Sequence, residues 1–286
     1  MSTDTDAMPA APLHAPPRPL VPPRPAVPPP PAGPPAGPRP SAARTVAAAV
    51  CLVVGIGLIG GAAAGSWLAA PAERSAAQRT FDHGATVWRE VPVDTLFPPS
   101  VHADAAGPGG AARDWTRTGV APDGDCTGGF DAPLESALAP AGCRRLLRAT
   151  YTDATSSTVT TVGVLVTDTD AAGMRELRDR FAHDGLTDRV GVMPRAYAPP
   201  GTAAAGFGDA QRASWQLTVL TDLPAVVFAV TGFADGRTGV PPEPAERAVA
   251  PGATSVPAQA GLGHDARALA GALTDALRTA ARKGAR

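Results

Sequence analysis

Residues 45–70 form a run of 26 positions without a charged side chain, and no other stretch of the 286 residues approaches it. At 1.5 Å rise per residue, a helix of that length reaches about 39 Å, enough to cross a hydrocarbon core of roughly 30 Å with some tilt. The run predicts one transmembrane helix and divides the rest of the chain into two sides. Arg18, Arg24, Arg39 and Arg44 precede it; Glu73, Arg74 and Arg79 follow it. Arg44 abuts the apolar segment, so the positive-inside rule puts the N-terminus in the cytoplasm and the C-terminal part outside. Trp67 then falls at the outer interface, where an amphipathic ring is favoured. A cleaved signal peptide is the alternative, because Ala62-Ala63-Ala64 and Leu68-Ala69-Ala70 offer small residues for cleavage. The 44 preceding residues and an apolar run about twice a signal h-region favour an uncleaved anchor.

Residues 1–44 hold 16 of the chain's 33 prolines, which remove amide donors and fix φ, so neither helix nor sheet is expected there. The segment reads as a disordered, partly polyproline II cytoplasmic tail. Pro16-Pro17-Arg18-Pro19 and Pro22-Pro23-Arg24-Pro25 have the form of ligands for aromatic-lined grooves, although a solvated spacer explains them as well. Residues 71–85 read as a short connector, and 86–286 as one extracytoplasmic domain of ordinary size. Beyond the apolar run the charge is 21 basic against 24 acidic residues, a net of −3. That balance argues against a nucleic-acid or anionic-lipid surface.

The chain has three cysteines. Cys51 lies inside the apolar run, as a small apolar residue. Cys126 and Cys143 are the two beyond it. An outer compartment allows them a disulfide, worth about 3 kcal/mol for a loop of this length. A two-thiol metal site is the rival, but His83, His102, His183 and His264 show no ligand spacing with the pair. No metal or cofactor is expected.

Within the outer domain, 88–93 reads as a first strand and 114–121 as a second. Residues 131–138 read as a short helix that accepts Pro133 in its first turn. Runs 144–151 and 158–167 are rich in β-branched residues and flank a turn-like Thr152-Asp153-Ala154-Thr155-Ser156. Val162, Val164 and Val166 share one strand face. Thr169 or Asp168 caps the next helix, whose apolar positions are Met174, Leu177 and Phe181, and Gly185 stops it. Residues 190–197 suggest an edge strand containing Pro194. Trp215, Leu217 and Val219 mark a strand face, and 225–230 is unbroken apolar, as in a strand buried on both faces. Residues 235–262 read as a long loop, and 263–282 as a closing helix with a Leu269, Leu273, Leu277 stripe. The order predicts an α+β fold, mainly an antiparallel sheet with helices on one face.

Gly55-Ile56-Gly57-Leu58-Ile59-Gly60 matches the G-x-G-x-x-G dinucleotide fingerprint. That reading needs a second strand ending in an acidic residue about 20 positions on, and the chain stays apolar to Ala70 instead. Gly57, Gly61 and Gly65 recur every four residues on one helix face, the tandem G-x-x-x-G arrangement that lets two membrane helices pack closely. Asp123-Gly124-Asp125 and Asp168-Thr169-Asp170 do not continue into a calcium loop and read as a turn and a helix cap. Arg144, Arg145 and Arg148 cluster after Cys143, but strand alternation splits Arg145 from the other two. No nucleophile has a recognisable catalytic setting.

The layout, with Ala149 to Ser157 and Gly232 to Arg237 as parts of the outer domain, resembles uncharacterised single-pass membrane proteins of high-GC Gram-positive bacteria. One lysine against 24 arginines fits such a genome. The resemblance is one of architecture; it implies a place in the membrane and no activity. The expectation is a non-catalytic interaction module with a protein partner in the membrane or envelope, and homodimerisation through the span. A small-molecule sensor and a membrane-tethered enzyme are the alternatives.

Overall fold

The computed structural model describes Val46, residues 50–55, 74–122 and 124–285. The expected tail lies outside the described residues, as does most of the expected span, including Gly57, Gly61 and Gly65. The described part of the uncharged run, Val46 and residues 50–55, is helical, and Val46, Val50, Leu52, Val53 and Val54 are all exposed. Among the described residues no helix is long and apolar enough to cross a membrane. Residues from 74 onward belong to one compact unit, to which the remaining description applies.

That unit opens with three short helices, α1 (Ala76–Gly84), α2 (Val87–Glu90) and α3 (Val93–Leu96). Strands β1 (Ser100–Ala103) and β2 (Arg113–Val120) follow, then helix α4 (Ala132–Leu138). The hairpin β3 (Arg145–Asp153) and β4 (Thr158–Val166) leads into helix α5 (Ala171–His183). A second hairpin is β5 (Arg212–Val219) and β6 (Ala225–Phe233). A two-residue strand β7 (Glu243–Pro244), short helices α6 (Ala245–Ala248) and α7 (Val256–Gln259), and the long helix α8 (Leu262–Gly284) complete it. The sheet order is β1-β2-β3-β4-β6-β5-β7, antiparallel throughout except for the β5–β7 pair. The expected α+β class with a mainly antiparallel sheet therefore holds.

Period-two alternation explains how this sheet carries two cores. All nine residues of β4 and all nine of β6 are buried, so each strand needs an apolar cover above and below. On one face Val162, Val164 and Val166 lie with Ala225, Val227 and Ala229 beneath Leu269, Leu273 and Leu277 of α8. On the other, Leu165, Val226, Phe228 and Val230 pack against Met174, Leu177 and Phe181 of α5 and Leu134 and Leu138 of α4. Helices thus cover both faces, which corrects the one-faced expectation. The unbroken apolar run of β6 is the local cause, because neither of its faces is polar enough to meet water.

Other expectations change as well. The stretch read as a connector supplies α1, whose Phe81 is buried in the core beside α5. Residues 88–93 make no strand: 88–90 are helical, the backbone is extended only at Val91 and Pro92, and 93 opens α3. Residues 190–197 make no strand: only an isolated bridge joins Pro194 to Phe130. The Tyr197 amide instead donates to Thr161 Oγ1 at 2.9 Å, and Thr150 Oγ1 donates to the Tyr197 carbonyl at 2.6 Å. Threonine hydroxyls standing on the sheet take the bonds a ladder would have used. Asp170, not Thr169 or Asp168, caps α5, accepting from the Ala172 and Gly173 amides at 3.0 and 2.9 Å. The long loop 235–262 contains β7, α6 and α7.

Candidate interaction surface

The most distinctive surface is the outward side of α8, and it begins with how firmly that helix is held. In its first turn Asp265 is fully buried. Arg113 of β2 donates to Asp265 Oδ1 from Nε at 3.1 Å and Nη2 at 2.6 Å, and Thr158 of β4 donates to Oδ2 at 2.7 Å. Burial raises the Asp265 pKa, with Arg113 and Thr158 pulling the other way. Toward the other end, Arg278 grips Asp222 in the β5–β6 turn at 2.7 and 3.1 Å. The Arg278 bond holds the Asp222 carboxyl below its ordinary range against partial burial. Near the start, a Cβ on Gly263 would stand 2.5 Å from that of Ala248, so glycine is what lets α6 approach. Clamped at both ends, α8 presents a preorganised outer face.

One flank of the helix is built from small residues: Ala268, Ala272 and Ala276, four positions apart and each half-buried, run beside the leucine stripe, while Gly271 lies exposed on the outer side between Arg267 and Asp275. A groove of about 260 Å³ separates α8 from Leu96–Pro98 and β1, with Ala272, Leu273 and Ala276 on its floor. It is continuous, through Ala272 and Ala276, with two shallow depressions. One is walled by Ala103, Ala105 and Val249, the other by His83, Glu90 and Val91. The rim is charged. His102 places Nδ1 2.7 Å from Asp114 Oδ1 and Nε2 3.3 Å from Asp104 Oδ1. The Asp114 bond, then that of Asp104, raises its pKa. Arg267 and Asp275 are exposed on the helix itself.

Cys126 and Cys143 are bonded, with Cα atoms 6.3 Å apart, within ordinary disulfide span. The bridge ties the 124–131 loop to the start of β3. Cys51 is free and exposed. The three clustered arginines diverge. Arg144 pairs with Asp168 at 2.9 Å, Arg145 lies 4.6 Å over the Trp88 ring, and Arg148 lies 5.5 Å over Tyr197. Burial lowers the Arg148 pKa. Asp125 accepts the Thr127 amide at 2.9 Å, as a turn residue does. Among the described residues no three His, Cys, Asp or Glu side chains gather as metal ligands.

A second polar cluster lies under the opposite face. Arg212 Nη1 stands 2.9 Å from both Asp131 Oδ2 and the Pro194 carbonyl. Arg195 lies 3.6 Å from Asp131 and 3.7 Å from Asp209. Each charge here holds the 190–212 segment against the sheet, and none of these residues lines a groove along α8. Sequence reasoning found the leucine stripe of α8 and missed its outer face. Ala272 and Ala276 stand three positions after Leu269 and Leu273, so in the sequence the alanines of the flank read as a margin of the same buried stripe. Comparison of the chain with protein-family models, curated proteins and solved structures gives no match.

Proposed function

We propose that this chain is a membrane-anchored, non-catalytic interaction module, with the domain from residue 74 onward outside the membrane and docking a protein partner. The observation that carries the reading is the α8 surface: a flank of half-buried alanines on a firmly held helix, opening into shallow grooves and rimmed by charge. Such a surface suits a helix or strand of another protein, which needs area and close approach. The principal buried carboxylate, Asp265, is already engaged by Arg113 and Thr158. The anchor rests on the uncharged run 45–70, and the exposed valines and leucine of residues 46–54 are side chains a bilayer would cover.

Crosslinking in native membranes followed by mass spectrometry tests this, on the full chain and on a variant lacking residues 1–40. Reproducible links from residues of α8 or β1 to protein are expected. A domain that yields none while retaining a small molecule through purification sinks the reading in favour of a sensor.

A further inference from the structure

We propose that the occupant of the α8 face is a second copy of this chain, packed antiparallel with the two helices crossing at Gly271. The inference rests on the interaction-module reading and names its partner. Gly271 is exposed, and nothing lies within 4 Å of the point its Cβ would take. A glycine there lets a second backbone approach as closely as helices can.

Charge decides what approaches. Arg267 stands four positions before Gly271 and Asp275 four after, so both flank the crossing point on the same face. Both are exposed, and among the described residues neither forms an ion pair. Their neighbour Arg278 is held by Asp222 and also feels the charge of Asp275 one turn away. Two antiparallel helices related by a two-fold axis at Gly271 bring Arg267 of each copy beside Asp275 of the other. A parallel pair would set arginine against arginine and aspartate against aspartate. Complementarity under a two-fold axis perpendicular to the helices is what an antiparallel isologous dimer requires. The clamps at Asp265 and Asp222 keep the helix from rearranging to avoid the contact.

The test is cysteine crosslinking of the full chain in cells, in a Cys51→Ser background, with cysteine introduced by Gly271→Cys or, as control, Arg282→Cys. Residue 282 lies on the same helix about 16 Å further along. Mild oxidation is expected to give covalent dimer from position 271 and not from 282. Arg267→Glu or Asp275→Arg alone should lower that yield about tenfold, the scale of one close charge pair. The double variant Arg267→Glu/Asp275→Arg should restore it. Equal crosslinking at 271 and 282, single reversals without effect, or a double variant that stays low each overturn the proposal. Capture of a different protein at position 271 overturns the second copy while leaving the interaction module standing.

Discussion

Asp153 and Asp265 are near enough to feel one another's charge, yet the fold shifts them in opposite directions. Burial pushes Asp153 up, but bonds from Thr155, Thr158 and Ser157 together outweigh it and hold the carboxyl below its ordinary range. The Ser157 and Thr158 amides both reach Oδ1 at 2.7 Å, closing the β3–β4 turn in which Ser156 takes a φ of 54°. Asp265 has two strong partners and still rises, because complete burial costs its charge more than they return. Linkage gives opposite signs. The contribution of Asp153 is present above the unfolded pKa near 4 and is lost as pH falls through its lower folded value. That of Asp265 is full below the unfolded pKa and lost as pH rises through its higher folded value. Thermal melts between pH 6 and 3 are therefore expected to show a shallower acid limb for Asp153→Asn than for the native chain, and a steeper one for Asp265→Asn. Parallel limbs in all three would contradict the assignment. At neutral pH, Asp153→Ala should cost about 2 kcal/mol by leaving two amides unsatisfied, measured by urea unfolding.

Between elements, close approach is decided by what a residue lacks. Gly163 of β4 faces Phe228 of β6, and a Cβ there would stand 2.5 Å from the phenyl edge and 2.6 Å from the Leu147 carbonyl. Gly163→Ala is expected to destabilise by about 1–3 kcal/mol through overpacking, read as a lower urea midpoint with unchanged slope. Replacing Cys126 and Cys143 with serine should cost about 3 kcal/mol, because the bridge closes a short loop that otherwise gains freedom on unfolding. These same elements show what a sequence discloses. β3 to β6, α5 and α8 were legible because each is long enough to complete its period, and the Cys pair because no other cysteine follows the uncharged run. The helices α2 and α3 have four residues each, too few to display a helical repeat. The 190–197 run carries strand-like residues, but hydroxyls of Thr150 and Thr161, distant in sequence, claim its backbone. The outer face of α8 was illegible for a different reason. Ala268, Ala272 and Ala276 run beside the leucine stripe, and they become a groove floor only because β1 and the 95–98 segment stop short of covering them.

For the molecule as a whole, location constrains everything the domain meets, and two independent features argue for the same side. The uncharged run 45–70 is long enough to span, and Arg44 before it favours an N-terminus in the cytoplasm. The bonded Cys126–Cys143 pair fits the oxidising exterior that this orientation gives the domain. The alternatives separate in one experiment, with an N-terminal and a C-terminal tag on the full chain. After cell disruption the chain is expected in the membrane pellet, and it should stay there through an alkaline carbonate wash, since a peripheral contact would release it. Protease added to spheroplasts should then remove the C-terminal tag and spare the N-terminal one until the membrane is opened. Reversed protection would invert the orientation and leave the disulfide facing a reducing compartment. Release by carbonate would remove the anchor altogether. Loss of the N-terminal tag from the mature chain, with the C-terminal part free outside the cell, would mark cleavage after the small residues near Ala70. In that case two copies could meet only by diffusion. In the anchored case the membrane confines them to two dimensions, so even a weak α8 contact is populated at low expression.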